Sequence, residues 1–150
     1  FYMVTIKCHA GRQALSKIVA PGKCQLNAIT RAMVNCIRNF HLGCKAIAPI
    51  ECFSIMPDHI HFSCAPGNLT TPDFHEWMKR WKSPVARTFP VPHATPLWQR
   101  NCWDVQLRTG ESYVEKCNYM CSNPVRKRLV TETSDWPYQG VLNVLEWHDK

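Results

Sequence analysis

The stretch from Ala46 to Ala65 constrains the fold more than any other part of this 150-residue chain. An apolar run, Ala46 to Met56, carries Phe53 and Ile55 on one parity. It meets the turn pair Pro57-Asp58, and a second short run, HIHFSCA, follows at once. Two such runs joined by a tight break read as the antiparallel strands of a hairpin.

The other elements group around that hairpin. Tyr2 to Cys8 (YMVTIKC) mixes β-branched and aromatic residues in rough alternation and reads as a strand, broken by Gly11-Arg12. From Gln25 to His41 apolar residues recur at Leu26, Ile29, Met33, Val34, Ile37 and Phe40, a helical spacing that stops at Gly43. Thr71-Pro72-Asp73 supplies a cap and a first-turn proline to a second helix, with Phe74, Trp77, Met78 and Trp81 on one face and Lys79, Arg80 and Lys82 on the other. That helix is expected to break at Ser83-Pro84. After the proline-rich FPVPHATP, the segment LWQRNCWDVQL reads as a strand with an irregularity in its middle. A third helix is expected over Glu111 to Ser122, ending near Asn123 because Pro124 restricts the residue before it. A short helical candidate, VLNVLEW, finishes the chain.

Strand, helix, strand, strand, helix, strand, helix is the order of a split βαβ, ferredoxin-like α+β fold: an antiparallel sheet with helices packed on it. The length suits one domain. At 45% hydrophobic and 19% charged residues the chain is too apolar for disorder and too interrupted for a membrane protein. A formal net charge of +7 favours a polyanionic partner. The nine cysteines are an odd number, and the absence of any CxxC leaves a structural zinc site without its usual local half. Reduced thiols in a reducing cytosol are the expectation. Nothing resembling a signal core opens the chain, so a cytoplasmic location is expected.

Chemistry enters with His59 and His61. Two apart on a strand, both imidazoles leave one face while Ile60, Phe62 and Cys64 leave the other. This is the geometry of a two-histidine chelate, although a bare HxH also suits two ordinary histidines on a half-exposed strand. In ESYVEKCNYMCSNPV, Tyr113, Val114, Cys117, Met120 and Cys121 form one apolar stripe. Tyr119 is off that stripe, and Asn123 lies one turn further along the same face, so a phenol and an amide stand side by side.

With these residues in view, MPDHIHF (Met56 to Phe62) resembles the histidine, hydrophobic, histidine core of the HUH endonucleases, in particular the element found in tyrosine-1 transposases. FYMVTIKCHAGRQ before it and LWQRNCWDVQLR, YMCSNPVRKRLV and DWPY after it stand in family order, and together they resemble the REP-associated tyrosine transposases over Phe1 to Tyr138. Two departures stand out. Asp58 replaces a commoner asparagine, and Lys127-Arg128 replaces a small residue and glycine; neither is expected to touch the matched catalytic positions.

The resemblance implies a single domain over residues 1–150, with a catalytic core over about residues 1–130 and a tail over 131–150. It implies Tyr119 as nucleophile, leaving a covalent 5′-phosphotyrosine and a free 3′-hydroxyl, and His59, His61 and Asn123 as ligands of a divalent cation, Mg2+ or Mn2+. A free phenol, with a pKa near ~10, is a poor nucleophile at neutral pH and needs an electrophilic partner at the phosphate. Lys79, Arg80, Lys82, Arg87, Arg100, Arg126, Lys127 and Arg128 are the candidates to neutralise DNA phosphates. Trp77 and Trp81 read as core, whereas Trp98, Trp103 and Trp136 lie near loops where unpaired bases can stack.

The implied partner is single-stranded DNA with hairpin-forming repeats. A monomer associated with the bacterial nucleoid is expected by the same resemblance; the smaller insertion-sequence relatives act as dimers with exchanged tyrosine helices. Two rivals remain: a non-catalytic single-stranded nucleic-acid-binding module, and a domesticated transposase that binds without moving DNA. The aromatic pattern of an RRM sheet is absent, which counts against the first.

Overall fold

The computed structural model describes residues 2–20, 23–26, 50–65, 71–87 and 95–141. In it the expected hairpin forms from β4 (Ile50–Ile55) and β5 (His59–Cys64), which pair antiparallel. The first strand, β1 (Tyr2–Lys7), lies on the other side of β5, with Thr5 opposite His61 and Lys7 opposite His59. β6 (Trp103–Gln106) pairs with the outer edge of β1, and β7 (Gln139–Val141) with the outer edge of β4. The five-stranded sheet therefore runs β6-β1-β5-β4-β7 with every neighbour antiparallel. Within β6-β1-β5-β4 strands β1 and β5 are the central pair, which is the split βαβ order and the α+β class read from the sequence, with β7 added at the β4 edge. The irregularity in LWQRNCWDVQL is real: Trp98 bridges to Cys8, and ladder pairing resumes only at Trp103.

Among the described residues, one helix packs on each face. On one side α1 (Thr71–Arg87) lays Phe74, Trp77, Met78 and Val85 on Val4, Ile6, Phe53, Ile60 and Phe62. At roughly 1.5–3 kcal/mol for each large apolar side chain removed from water, this cluster is the main source of stability. On the other side α2 (Gly110–Arg126) buries Met120 against Met3, Cys52 and Leu107. A third cluster, Met56, Val130 and Trp136, closes the end of the sheet, and the Trp136 indole N–H donates to the Ile55 carbonyl at 3.1 Å. The segment read as a tail thus supplies both a strand and a core residue.

Both helices run through the prolines expected to end them. An internal proline removes one N–H bond and crowds the carbonyl four residues back, about 3 kcal/mol against the helix. In α1 the turn around Pro84 is held by Val85, fully buried, and by the Trp98 indole, which donates to the Lys82 carbonyl at 3.2 Å. In α2 Pro124 sits between buried Met120 and Asn123 on one side and a completed C-terminal turn on the other. There Leu129 N–H donates to Pro124 O at 2.9 Å and Arg128 N–H to Val125 O at 2.8 Å, closing the helix with Arg128 at φ 56°.

Gln25, read as a helix start, lies in β3 (Lys23–Leu26), which pairs with β2 (Ser16–Ala20) in a separate hairpin. Its sequence signal is the Pro21-Gly22 pair between two short runs, KIVA and KCQL. The remainder of the Gln25 to His41 helix lies outside the described residues. Val141, the start of VLNVLEW, is the end of β7, and the rest of that segment also lies outside. No helix among the described residues is long and apolar enough to cross a membrane.

Candidate active site

Strand alternation sends Ile60, Phe62 and Cys64 of β5 into the α1 core, where Phe62 meets Trp77 edge to face at 5.9 Å. His59, His61 and Ser63 consequently face α2. Both imidazoles are buried, with their Nε2 atoms 3.0 Å apart. Each ring is pinned through its other nitrogen. Nδ1 of His59 lies 2.6 Å from the Asp58 carboxylate, and Nδ1 of His61 lies 2.8 Å from the Thr5 hydroxyl presented by the paired residue on β1. With both Nδ1 atoms as donors, two Nε2 lone pairs are left pointing at one spot.

Asn123 closes that spot from α2, its Nδ2 lying 3.2 Å from His59 Nε2 and 2.9 Å from His61 Nε2. As placed, the amide donates to both lone pairs and relieves their repulsion; a half-turn of the amide presents its oxygen there instead. The donor set fits a small divalent cation. Two nitrogens 3.0 Å apart subtend about 90° at an ion ~2.1 Å from each, as neighbouring positions of an octahedron require.

The electrostatics agree with a site built for a positive charge supplied from outside. Burial first, and then His59, push the His61 imidazole down to about 3, so that it stays neutral and keeps a lone pair on Nε2. The hydrogen bond from His59 holds the Asp58 carboxyl below the usual carboxylate range against the opposing effect of its partial burial, with Lys127 a smaller help. Both departures from the family pattern therefore reach the site: Asp58 directly, Lys127 through its field on Asp58. This corrects the expectation that neither touches the matched positions. Thr5 and Asp58 are the functional candidates that sequence reasoning missed. Asp58 was legible as a short carboxylate next to a histidine, whereas Thr5 becomes visible only once the β1–β5 register is known.

Tyr119 lies on the open side of α2, 42% exposed, with the Arg126 guanidinium 4.5 Å from its ring centroid. Tyr119 and His61 line one groove of about 360 Å³ together with Met3, Thr5, Lys7, Trp103, Val105 and Lys116. Of the expected apolar stripe of α2, Met120 is buried and Tyr113, Cys117 and Cys121 are partly so, but Val114 is 55% exposed, because the helix turns that position away from the sheet.

The basic candidates divide between the two faces. Arg126, Lys127 and Arg128 stand exposed at and just past the end of α2, Arg126 against Tyr119 and Lys127 within the field of Asp58. Lys79, Lys82 and Arg100 border a separate cavity of about 550 Å³ on the α1 side. There the Lys82 ammonium donates to the Gln99 carbonyl at 2.8 Å and to Arg100 O at 3.3 Å, and burial lowers its pKa. Arg87 is exposed near the end of α1, and the Arg80 side chain lies outside the described residues. Among the three loop tryptophans, Trp98 and Trp136 are buried and hydrogen-bonded to main-chain carbonyls, whereas Trp103 is 53% exposed in the groove with Lys7 Nζ 4.9 Å from its ring centroid. Trp77 is core, as expected, and the Trp81 side chain lies outside the described residues.

No family model matches the chain. A REP-associated tyrosine transposase from Escherichia coli (strain K12) is 29% identical over 93 residues, which cover 59% of this chain and 52% of that protein. The chain thus spans about half the length of the curated relative it matches. The structure of a REP-associated tyrosine transposase bound to a REP hairpin superposes with a TM-score of 0.66 at 19% identity, over 92% of this chain and 74% of that one. A candidate transposase from Deinococcus radiodurans gives a TM-score of 0.54 at 16% identity, over 79% of this chain and 85% of that one. At these identities the structures establish the fold. In sequence and in fold, then, the chain is similar to the REP-associated tyrosine transposases, the proteins its motifs resemble.

Proposed function

We propose that the protein is a transposase-type enzyme, a metal-dependent endonuclease and strand transferase that acts on single-stranded DNA through a covalent 5′-phosphotyrosine. The observation that carries this reading is the convergence of two imidazole Nε2 atoms and the Asn123 amide beside a groove that Tyr119 also lines. His59, His61 and the Asn123 oxygen are the groups that would hold Mg2+ or Mn2+. When bound, the cation supplies Lewis-acid polarisation of the scissile phosphate and so compensates for the weak nucleophilicity of a phenol.

The chain's own residues do the rest. Tyr119 Oη attacks phosphorus, the 3′ oxygen departs and takes up a proton, and the phenol proton is lost to solvent. Because the new phosphotyrosyl ester retains the energy of the broken bond, a 3′-hydroxyl can attack it in reverse and rejoin a strand. Arg126 over the Tyr119 ring limits its swing. Lys7 and Lys116 line the groove and are placed to neutralise strand phosphates, and the Trp103 ring offers a face to an unpaired base. Lys79, Lys82 and Arg100, on the opposite face, would contact DNA only as a secondary patch beyond the groove.

Hairpin-forming repeats are the proposed substrate, since a protein of the same fold is bound to a REP hairpin. A monomer in the bacterial cytoplasm, working at the nucleoid, is the proposed setting. The test is cleavage of end-labelled single-stranded hairpin DNA with Mg2+ or Mn2+. H59A/H61A and chelator should each abolish cleavage while leaving hairpin binding measurable. Cleavage that persists in both would defeat the reading, and binding without cleavage in the wild type would leave a non-catalytic binding module.

A further inference from the structure

A second group of ligand-type side chains sits under α2, away from the histidines. Between Ile50 and Phe53 the β4–β5 register shifts, so two residues, Glu51 and Cys52, stand opposite the single Ser63. Regular alternation would send neighbours to opposite faces; the bulge instead lets both reach toward α2, where Cys117 meets them. The Cys52 and Cys117 sulfurs are 3.5 Å apart, and the Ser63 hydroxyl lies 3.2 Å from the Cys52 sulfur and 3.3 Å from a Glu51 carboxylate oxygen. One carboxylate oxygen and the two sulfurs all lie within 4.8 Å of one another.

We propose that Glu51, Cys52 and Cys117 form a second cation site, for a thiophilic divalent ion such as Zn2+, that clamps α2 to the sheet. Thiolates select soft ions where the imidazole and amide set does not. Sulfurs of an ideal tetrahedral zinc site, at ~2.3 Å from the metal, are about 3.8 Å apart, so the observed pair has only about 0.3 Å to open. A disulfide, at about 2.05 Å, would need the two sulfurs to close by about 1.5 Å. On binding, the two thiols release two protons to water, and two thiolates plus a carboxylate surround the doubly charged ion. Ser63 orients a ligand sulfur and the ligand carboxylate together. Cys117 precedes Asn123 by six residues, about 9 Å along the helix, so the two sites are distinct yet share one rigid element. The inference stands independently of the proposed DNA chemistry.

The probe is Co2+ added to the fully reduced, full-length chain, because thiolate ligation gives a sulfur-to-cobalt charge-transfer band that histidine and asparagine cannot produce. One equivalent should develop the band in the wild type, and Zn2+ should bleach it and raise the melting temperature. H59A/H61A and C102S should retain it, C52S and C117S should lose it while keeping a native circular dichroism spectrum, and E51Q should bind at least about tenfold more weakly. No band in the wild type, a band unchanged in C52S, C117S or E51Q, or a band lost with H59A/H61A would overturn the site. So would thiol counting that finds Cys52 and Cys117 joined as a disulfide in the reduced preparation's native counterpart, with no metal.

Discussion

Protonation of His61 should make the metal-free protein lose stability in mild acid. In an unfolded chain its imidazole titrates near ~6.5. In the fold, burial and the neighbouring His59 push it down to about 3. Between those two values the unfolded chain binds a proton that the folded chain refuses, so the unfolded state gains and stability falls as the pH drops. The limiting slope is about 1.4 kcal/mol per pH unit, so going from about pH 6.5 to about pH 4.5 removes at most about 3 kcal/mol. Relaxation around the ring reduces this, and roughly half is the working expectation. The assay is urea unfolding in chelator at a series of pH values, comparing wild type with His61→Gln, which cannot take up the proton. Shared carboxylates, Asp58 among them, tilt both curves alike, so the difference between them isolates His61. Two curves that fall in parallel through that range would refute the reasoning.

Asp58→Ala removes the carboxylate that orients His59 and should weaken Mn2+ binding by about 10- to 100-fold in calorimetric titration, with Asp58→Asn between it and wild type. Trp103→Ala removes an exposed ring in the groove; single-stranded DNA binding should weaken by about 1–3 kcal/mol while the melting temperature holds. Arg128→Gly places glycine where the backbone is left-handed, at φ 56°, and should stabilise the protein by about 1 kcal/mol in urea unfolding.

Strand alternation carried most of what the sequence disclosed. YMVTIKC shows a buried parity, whereas β4 and β5 are buried on both faces and their alternation separates apolar residues toward α1 from polar ones toward α2 in HIHFSC. The two histidines were legible for the same reason, since a period of two puts both on one face. What escaped notice was set by tertiary contacts. Pro84 and Pro124 are local stop signals overruled by packing: Val85 is fully buried, Trp98 reaches the Lys82 carbonyl across 16 positions of chain, and the turn at Arg128 completes α2. Thr5 reaches His61 across 56 positions of chain through a register that no local pattern encodes. The bulge at Glu51-Cys52 is equally silent, because a run buried at every position loses the alternation that would reveal it. Trp136 reads as a loop aromatic beside proline, yet it is 2% exposed because the segment folds back to pair β7 with β4.

The most direct measurement is mass spectrometry of the protein after incubation with single-stranded hairpin DNA and Mg2+ or Mn2+, following nuclease trimming and proteolysis. The expected product is a nucleotide joined through its 5′ phosphate to Tyr119, absent from Tyr119→Phe and from the H59A/H61A variant. A covalent adduct mapped to another residue, or an equal yield from Tyr119→Phe, would contradict the account.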